Sequence, residues 1–200
     1  MTAPDQPAPI HLLLVDDDRL VLSTLSRGLQ HAGYLVSMAE SAEEAEVLLA
    51  SGQRPDLAIV DIRMSGRDGL TLARRLRELD HIPFVMLSAY SEPDMIGQAN
   101  HLGALGYLVK PLDISQLLPA IQAALSRADE LQELRETRAQ LQAALDSERD
   151  ISVAVGIIMA QQQLPRPQAF ELLRKTARTQ RRKLAELAAD IIRAVQPTRM

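Results

Sequence analysis

Short apolar runs alternate with helix-like segments five times between Ile10 and Leu125. These runs predict strands over residues 10–15, 34–38, 57–60, 83–87 and 106–109. Continuous apolar strands separated by helices are typical of a parallel sheet that is covered on both faces. Five such units in about 115 residues predict an α/β fold of the flavodoxin-like type, with strand order 2-1-3-4-5.

The ends of the predicted helices carry local signals. The segment Ser41-Ala42-Glu43-Glu44 is a capping-box pattern and predicts a helix after the second strand. Asp17 or Asp18 could cap the helix that begins near Arg19. Glycines fall where three of the helices should stop, at Gly33, Gly52 and Gly103.

A long helical segment follows the α/β domain. Between Pro119 and Pro165 there is no proline and only one glycine, Gly156, which predicts an unusually long helix. Within it Arg138 occupies an a position of a short heptad seam, whose other a and d positions are Leu131, Leu134, Leu141 and Leu145. The seam favours a coiled-coil homodimer, and the alternative is an amphipathic linker packed on its own chain.

The last fifty residues predict a small all-α domain. After Pro165 and Pro167, apolar residues at helical spacing predict helices over about 168–178 and 182–195. With the end of the long helix they would form a three-helix domain. The predicted division of the chain is a disordered lead (1–9), an α/β domain (10–125), a coiled-coil linker (126–150), a three-helix domain (151–195) and a tail (196–200).

The net charge of −4 hides an asymmetry along the chain. Residues 1–125 carry 9 Lys+Arg against 16 Asp+Glu, whereas residues 151–200 carry 9 against 3. A basic end suggests contact with a polyanion, although a solvated helical face has the same composition. The chain has no cysteine, no apolar run long enough to span a bilayer and no signal-peptide pattern. We therefore expect a cytoplasmic protein without a membrane partner.

Reactive side chains follow four of the predicted strands. Asp16 and Asp17 follow the first strand, Asp61 the third, Ser88 the fourth and Lys110 the fifth. Because the carboxyl ends of parallel strands share one edge of the sheet, these side chains should converge. The carboxylates suit Mg²⁺, and Asp61 could attack a phosphoryl donor while Lys110 neutralises the transferring oxygens. Singly, each could be only a helix cap or a turn residue, but their order favours a phosphate-accepting site.

Residues 10–125 resemble the receiver domain of response regulators, through the acidic pair, Asp61, Ser88 and Lys110. The resemblance implies that Asp61 accepts phosphate from a sensor histidine kinase and that Ser88 and Tyr107 are the switch residues. The protein would then not be an enzyme, beyond any self-dephosphorylation. The resemblance also implies Mg²⁺ as cofactor.

By the same resemblance, Asp17 and Asp61 would ligate Mg²⁺ together with the main-chain oxygen of Arg63, and Asp16 would act through water. The family usually has proline after the methionine that corresponds to Met64, whereas this chain continues Ser65-Gly66, which predicts a looser loop. Arg63 and Tyr90 occupy the positions that line the path of the hydrolytic water in this family. Both are bulky, so we expect slow self-dephosphorylation.

The basic end resembles the ANTAR domain, an RNA-binding antitermination module. The matching residues are Ala154-x-Gly156-x-x-Met159, Ala169-Phe170 with Leu173-Arg174 and Ala177, and Leu184 with Ala188. The resemblance implies binding to paired hairpins in nascent messenger RNA. Val155 stands where the family commonly has lysine, so one basic contact is expected to be missing.

Six basic residues lie on the second helix of this domain and the turn that follows it. They could track an RNA backbone and are Arg174, Lys175, Arg178, Arg181, Arg182 and Lys183. Phe170, the sole aromatic residue of the domain, has apolar neighbours and is predicted to lie in the core rather than to stack on a base. A DNA-binding output is the main alternative, although no glycine follows Gly156 to form a helix-turn-helix turn. The third hypothesis is that this domain acts only through contacts with protein partners.

Overall fold

The computed structural model describes residues 9–89 and 93–195. The predicted tail, Tyr90, and the predicted lead apart from Pro9 all lie outside the described residues. The chain divides into two compact units, Met1–Leu131 and Gln132–Met200. No helix among the described residues is both long enough and apolar enough to cross a membrane.

The first unit contains a five-stranded parallel sheet. Its strands are β1 (His11–Val15), β2 (Leu35–Ala39), β3 (Leu57–Asp61), β4 (Phe84–Ser88) and β5 (Gly106–Val109). The strand order is β2-β1-β3-β4-β5, so the flavodoxin-like prediction is confirmed. The register pairs Asp61 with Leu87 and Ser88 with Val109, which brings the carboxyl ends of β3, β4 and β5 to one edge.

Seven helices and one π-helical turn occur in the described part of the chain. They are α1 (Arg19–His31), α2 (Ala42–Ala50), α3 (Gly69–Arg75) with a π-helical turn at Leu76–Asp80, α4 (Pro93–His101), α5 (Ile114–Gln162), α6 (Arg166–Thr179) and α7 (Leu184–Val195). Apolar side chains of α1 and α5 pack on one face of the sheet, and those of α2, α3 and α4 pack on the other. The strands β3 and β4 are buried throughout because both faces are covered.

The helix ends follow the local signals of the sequence. Asp18, and not Asp17, caps α1 by accepting from the backbone N–H of Leu20 and Val21. Ser41 caps α2 through the N–H of Glu44. The three predicted stop positions have positive φ angles of 93°, 95° and 83°, which glycine adopts without strain, at Gly33, Gly52 and Gly103.

Helix α5 is continuous over 49 residues and includes Pro119. The unusually long helix predicted between Pro119 and Pro165 is present, and it begins before Pro119, at Ile114. The leucines of the heptad seam are exposed on this helix, by 41% at Leu131, 66% at Leu134, and 62% at both Leu141 and Leu145.

The second unit is built on its own small core. The end of α5 contributes Ala154, Val155 and Ile158, α6 contributes Ala169, Leu173 and Ala177, and α7 contributes Leu187 and Ala188. This is the predicted three-helix arrangement. Helix α7 begins at Leu184, two residues later than predicted, because residues 180–183 form the connection between α6 and α7.

Candidate phosphorylation site and basic surface

Three carboxylates meet at the carboxyl edge of the sheet. Asp16 directly follows β1, and Asp61 is the last residue of β3. One carboxylate oxygen from each of Asp16, Asp17 and Asp61 lies within 4.8 Å of the others. Asp16 is fully buried and Asp61 is 5% exposed, whereas Asp17 is open to solvent. The sequence prediction that the strand ends bring these groups together agrees with this geometry.

Lys110 joins two of the carboxylates. Its Nζ lies 2.5 Å from Asp16 Oδ2 and 2.8 Å from Asp61 Oδ2. The lysine follows β5, and its backbone N–H donates to Ser88 O at 2.7 Å, which fixes the start of the loop against β4. The Lys110–Pro111 peptide bond is cis. The two Nζ distances place the lysine head group directly beside Asp61, the predicted phosphate acceptor.

The electrostatics of the cluster favour additional positive charge. Burial raises the pKa of Asp61, although the Lys110 ammonium acts in the opposite direction. Burial also disfavours charged Lys110, but hydrogen bonds to Asp16 and Asp61 outweigh it and the pKa of the lysine is raised. The pKa of Asp17 is lowered, chiefly by a backbone N–H of Ser65. Three carboxylates thus share one ammonium, and an oxygen-only donor set of this charge fits a hard divalent cation.

The remaining predicted site residues lie on or beside the same strands. Ser88 ends β4, next to the strand that ends in Asp61, and is 3% exposed. The backbone N–H of Arg63 donates to Asp61 Oδ1 at 3.4 Å, so the main chain of Arg63 borders the cluster. Tyr107 is half-buried in β5 and packs against the core on the face that carries α3 and α4. Tyr107 is thus part of the packing of that core.

Two residues of the site were missed by the sequence analysis. Ser65 donates its backbone N–H to Asp17 Oδ2 at 2.7 Å. Proline, usual here in the family, has no N–H to donate. The loop is therefore tied to the cluster, although the sequence predicted only a looser loop.

Gly69 begins α3, and a Cβ there would lie 1.9 Å from the carbonyl oxygen of Asp61. Only the Asp68-Gly69 helix-start pattern hinted at this close approach.

The six predicted RNA-binding residues of the second unit are all exposed, on α6 and in the turn after it. Two of them have acidic partners within the unit. Arg174 lies 3.2 Å from Glu171, and Arg182 pairs with Asp190, which also holds Arg193. In the described part of the chain, no carboxylate partner occurs for the other four, Lys175, Arg178, Arg181 and Lys183.

The prediction that Phe170 belongs to the core is wrong. Its side chain is 37% exposed and lies outside the apolar cluster that α5, α6 and α7 bury. On the same helix Ala169, Leu173 and Ala177 are at most 4% exposed. Phe170 falls at the border of this buried stripe, because each helical residue is rotated by about 100° from the one before.

The fold and the carboxylate–lysine cluster define a receiver-type α/β domain, joined here to a helical domain. The receiver model described as "Response regulator receiver domain" matches residues 12–122, and the model described as "ANTAR domain" matches residues 139–192. The chain belongs to the response regulators in which a receiver domain is followed by an ANTAR domain. The family resemblance inferred from the sequence is confirmed.

Relatives and solved structures agree with this assignment. The transcriptional regulatory protein PdtaR of Mycobacterium tuberculosis is 34% identical over 200 residues, which cover 96% of this chain and 97% of PdtaR. The response regulator MprA of Mycolicibacterium vanbaalenii is 38% identical over 120 residues, which cover 60% of this chain and 52% of MprA. The structure of the chemotaxis response regulator CheY4 of Vibrio cholerae has a TM-score of 0.54 and 30% identity, over 58% of this chain and 99% of CheY4.

Proposed function

We propose that a sensor histidine kinase phosphorylates this response regulator on Asp61 and that the phosphorylated protein binds hairpin RNA as a transcription antiterminator. The contact of Lys110 with both Asp16 and Asp61 carries the first half of the proposal. The basic surface of α6 and its following turn supports the second half. A protein that acts on nascent transcripts and accepts phosphate from a kinase would work in the cytoplasm.

Mg²⁺ is the proposed cofactor of the phosphorylation site. Asp17, Asp61 and the main-chain oxygen of Arg63 would hold it, and Asp16 would contribute through water. The oxygen-only donor set and the excess of carboxylates support this assignment. When bound, the ion would neutralise negative charge on the transferring phosphoryl group.

Asp61 would act as the nucleophile. A carboxylate oxygen of Asp61 would form the new bond to phosphorus as the bond to the kinase histidine nitrogen breaks, and that nitrogen would leave with its electron pair and take up a proton. Lys110 would bind a phosphoryl oxygen. Ser88 would donate a hydrogen bond from its hydroxyl to a second phosphoryl oxygen. Tyr107 would shift together with Ser88. We expect no turnover beyond slow self-dephosphorylation, which the bulk of Arg63 next to the acceptor favours.

RNA is preferred over the alternative outputs on two grounds. Four cations of α6 and the α6–α7 turn have no carboxylate partner within the described residues, which suits contact with a phosphate backbone. Helix α7, which follows the connection at residues 180–183, is predominantly apolar, and such a helix suits major-groove reading poorly. DNA binding and a purely protein-directed output stay as the alternatives that the experiment separates.

A homodimer through the α5 heptad seam completes the proposal. The seam leucines are more than 40% exposed, and a second copy of α5 would bury them at a and d positions. Two basic surfaces in one dimer would match paired hairpins. Sedimentation of Leu141→Lys should show weaker self-association than wild type, whereas Gln140→Lys, with the same charge change outside the seam, should not. Equal association of the two variants would remove the seam from the proposal.

Gel-shift titration tests the output. Tandem-hairpin RNA and a matched DNA duplex would be titrated with the full chain, with and without a small-molecule phosphoryl donor, at two salt concentrations. We expect RNA-selective binding that tightens on phosphorylation in wild type and in Asp129→Asn but not in Asp61→Asn. Lys175→Gln should weaken RNA binding and Arg27→Gln, on α1, should not. Equal, salt-sensitive binding to both polymers would overturn the RNA assignment.

A further inference from the structure

Phe170 is an exposed aromatic residue on a cationic surface. It is the sole aromatic residue after Tyr107, and its side chain is 37% exposed although the adjacent stripe of α6 is buried. A single exposed apolar residue needs no special explanation by itself. Phe170 differs from such a residue because its neighbours on α6 are basic.

Basic residues flank Phe170 at helical spacing. Arg166 and Arg174 lie four residues before and after it, so each is its neighbour along the helix surface. Arg178 follows a further turn along, rotated by about 80° from Phe170 around the helix axis. Glu171, the one acidic residue of α6, accepts from Arg174 Nη1 at 3.2 Å and so restrains the Arg174 guanidinium.

We propose that Phe170 stacks on an unpaired base in the loop of the bound RNA, with Arg174 and Arg178 on the phosphates that flank that base. This inference rests on the proposed RNA-binding function and adds the kind of nucleotide that the surface recognises. Aromatic rings beside cations are the usual platform for single-stranded nucleic acid, because every base has a π-face.

The surroundings favour a base over an apolar protein partner. A protein partner would bury a continuous apolar patch, whereas Leu172, the other large hydrophobic side chain exposed on α6, lies about 160° away around the helix. A stacked base instead needs one ring and nearby positive charge. Phe170 offers both on one side of α6.

Fluorescence of 2-aminopurine tests the stacking directly. The probe would replace one loop base at a time in a hairpin RNA that binds the full-length phosphorylated protein. Wild type should quench the probe at one loop position, and Phe170→Tyr should keep this quenching because it keeps the ring. Phe170→Leu should lose the quenching and bind roughly 10-fold more weakly, with an unchanged slope of log affinity against log salt.

Two controls separate stacking from other effects. Leu172→Ala removes an exposed apolar side chain on the far side of α6 and should bind the loop RNA as wild type does. Arg174→Gln should weaken binding and make the salt slope shallower by about one phosphate contact, which Phe170→Leu does not. Circular dichroism of each variant would show whether the helices are retained.

The outcomes are distinct. Binding and quenching by Phe170→Leu at the wild-type level would overturn the proposal while leaving RNA binding in place. Loss of binding by both Phe170→Leu and Phe170→Tyr would assign Phe170 to structure rather than to stacking, and would overturn it also. If wild type binds no hairpin RNA at all, the proposed function itself fails and this inference fails with it.

Discussion

Lys110 Nζ lies 2.8 Å from Asp61 Oδ2, although 49 residues separate the two in the chain. They are brought together because β3 and β5 both flank β4 and all three strands end at the same edge. The lysine also binds Asp16, so under the proposed function it would keep this carboxylate partner when Asp61 is phosphorylated. A contact of this kind links the charge of Asp61 to the position of the loop after β5.

Replacing Lys110 with methionine should leave the carboxylate cluster without its internal cation. We expect Lys110→Met to lower the free energy of unfolding at pH 7 by roughly 2 kcal/mol, less than for a fully buried pair because the lysine is 19% exposed. Phosphorylation should fall by about 100-fold, since a group that stabilises the transferring oxygens is lost. Urea unfolding and phosphate incorporation measure the two effects.

A background substitution checks the cause of that loss. In Asp16→Asn, one negative charge of the cluster is already gone, so Lys110→Met should destabilise the protein less than in wild type. An equal loss in both backgrounds would mean that packing of the lysine stem, and not its charge, is what matters.

Gly69 should tolerate no side chain. A Cβ at this residue would lie 1.9 Å from the carbonyl oxygen of Asp61, and backbone cannot move aside as a flexible side chain can. We expect Gly69→Ala to destabilise the protein by about 1–3 kcal/mol and to slow phosphorylation, because Asp61 itself must shift. Gly97→Ala is the matched control, since nothing lies within 4 Å of its Cβ. In helix α4 it should stabilise by about 0.5–1 kcal/mol. Thermal unfolding of both variants separates the clash from a general effect of alanine.

The fold was predictable because its signals are local and repeated. Buried runs such as Ile59-Val60 end in the residues that form the cluster, and the glycine stop signals are read directly from the chain. Phe170 could not be predicted in this way, because it lies at the border of a buried stripe where a small rotation of the helix decides its exposure. The contact of Ser65 with Asp17 could not be predicted from the sequence either, because the donor is the backbone N–H of Ser65 and not its side chain.

Arg138 should limit the stability of a dimer formed through α5. A charged residue at an a position selects register at the expense of stability. Arg138→Leu should therefore tighten self-association, and Arg135→Leu, outside the seam, should change it little. Sedimentation equilibrium over a range of protein concentrations measures the dissociation constants. A tighter dimer in Arg135→Leu alone would place the interface on another face of α5.

The carboxylate of Asp190 should contribute stability that depends on pH. The pKa of Asp190 is lowered from its ordinary value of 3.8, chiefly by its hydrogen bond with Arg182, with Arg193 adding to it. A carboxyl group with a lowered folded pKa stabilises the fold above that ordinary value, and this stabilisation is lost as the pH falls through the lowered one. Asp190→Asn should thus be less stable than wild type at pH 7 and approach it below pH 3.8.

Urea unfolding at several pH values tests the Asp190 prediction. Glu133→Gln, which removes an exposed carboxylate of α5 with no ion pair in the described chain, should show no such convergence with wild type. A constant gap between Asp190→Asn and wild type from pH 7 to pH 3 would contradict the prediction. The same variant should bind RNA more tightly, because Arg182 is released to contact phosphate.

Arg181 occupies a backbone position that favours glycine. Its φ is 52°, and α6 ends with the N–H of Arg181 on Arg178 O and that of Arg182 on Ala177 O, the arrangement that Gly33 provides at the end of α1. Arg181→Gly should raise the free energy of unfolding by about 1 kcal/mol, because the left-handed conformation is strained for residues with a Cβ. It should also weaken RNA binding. Arg181→Gln keeps the strain and removes the charge, so it should weaken binding without the gain in stability. If Arg181→Gln is stabilised as much as Arg181→Gly, the left-handed backbone at this residue is not the source of the gain in stability.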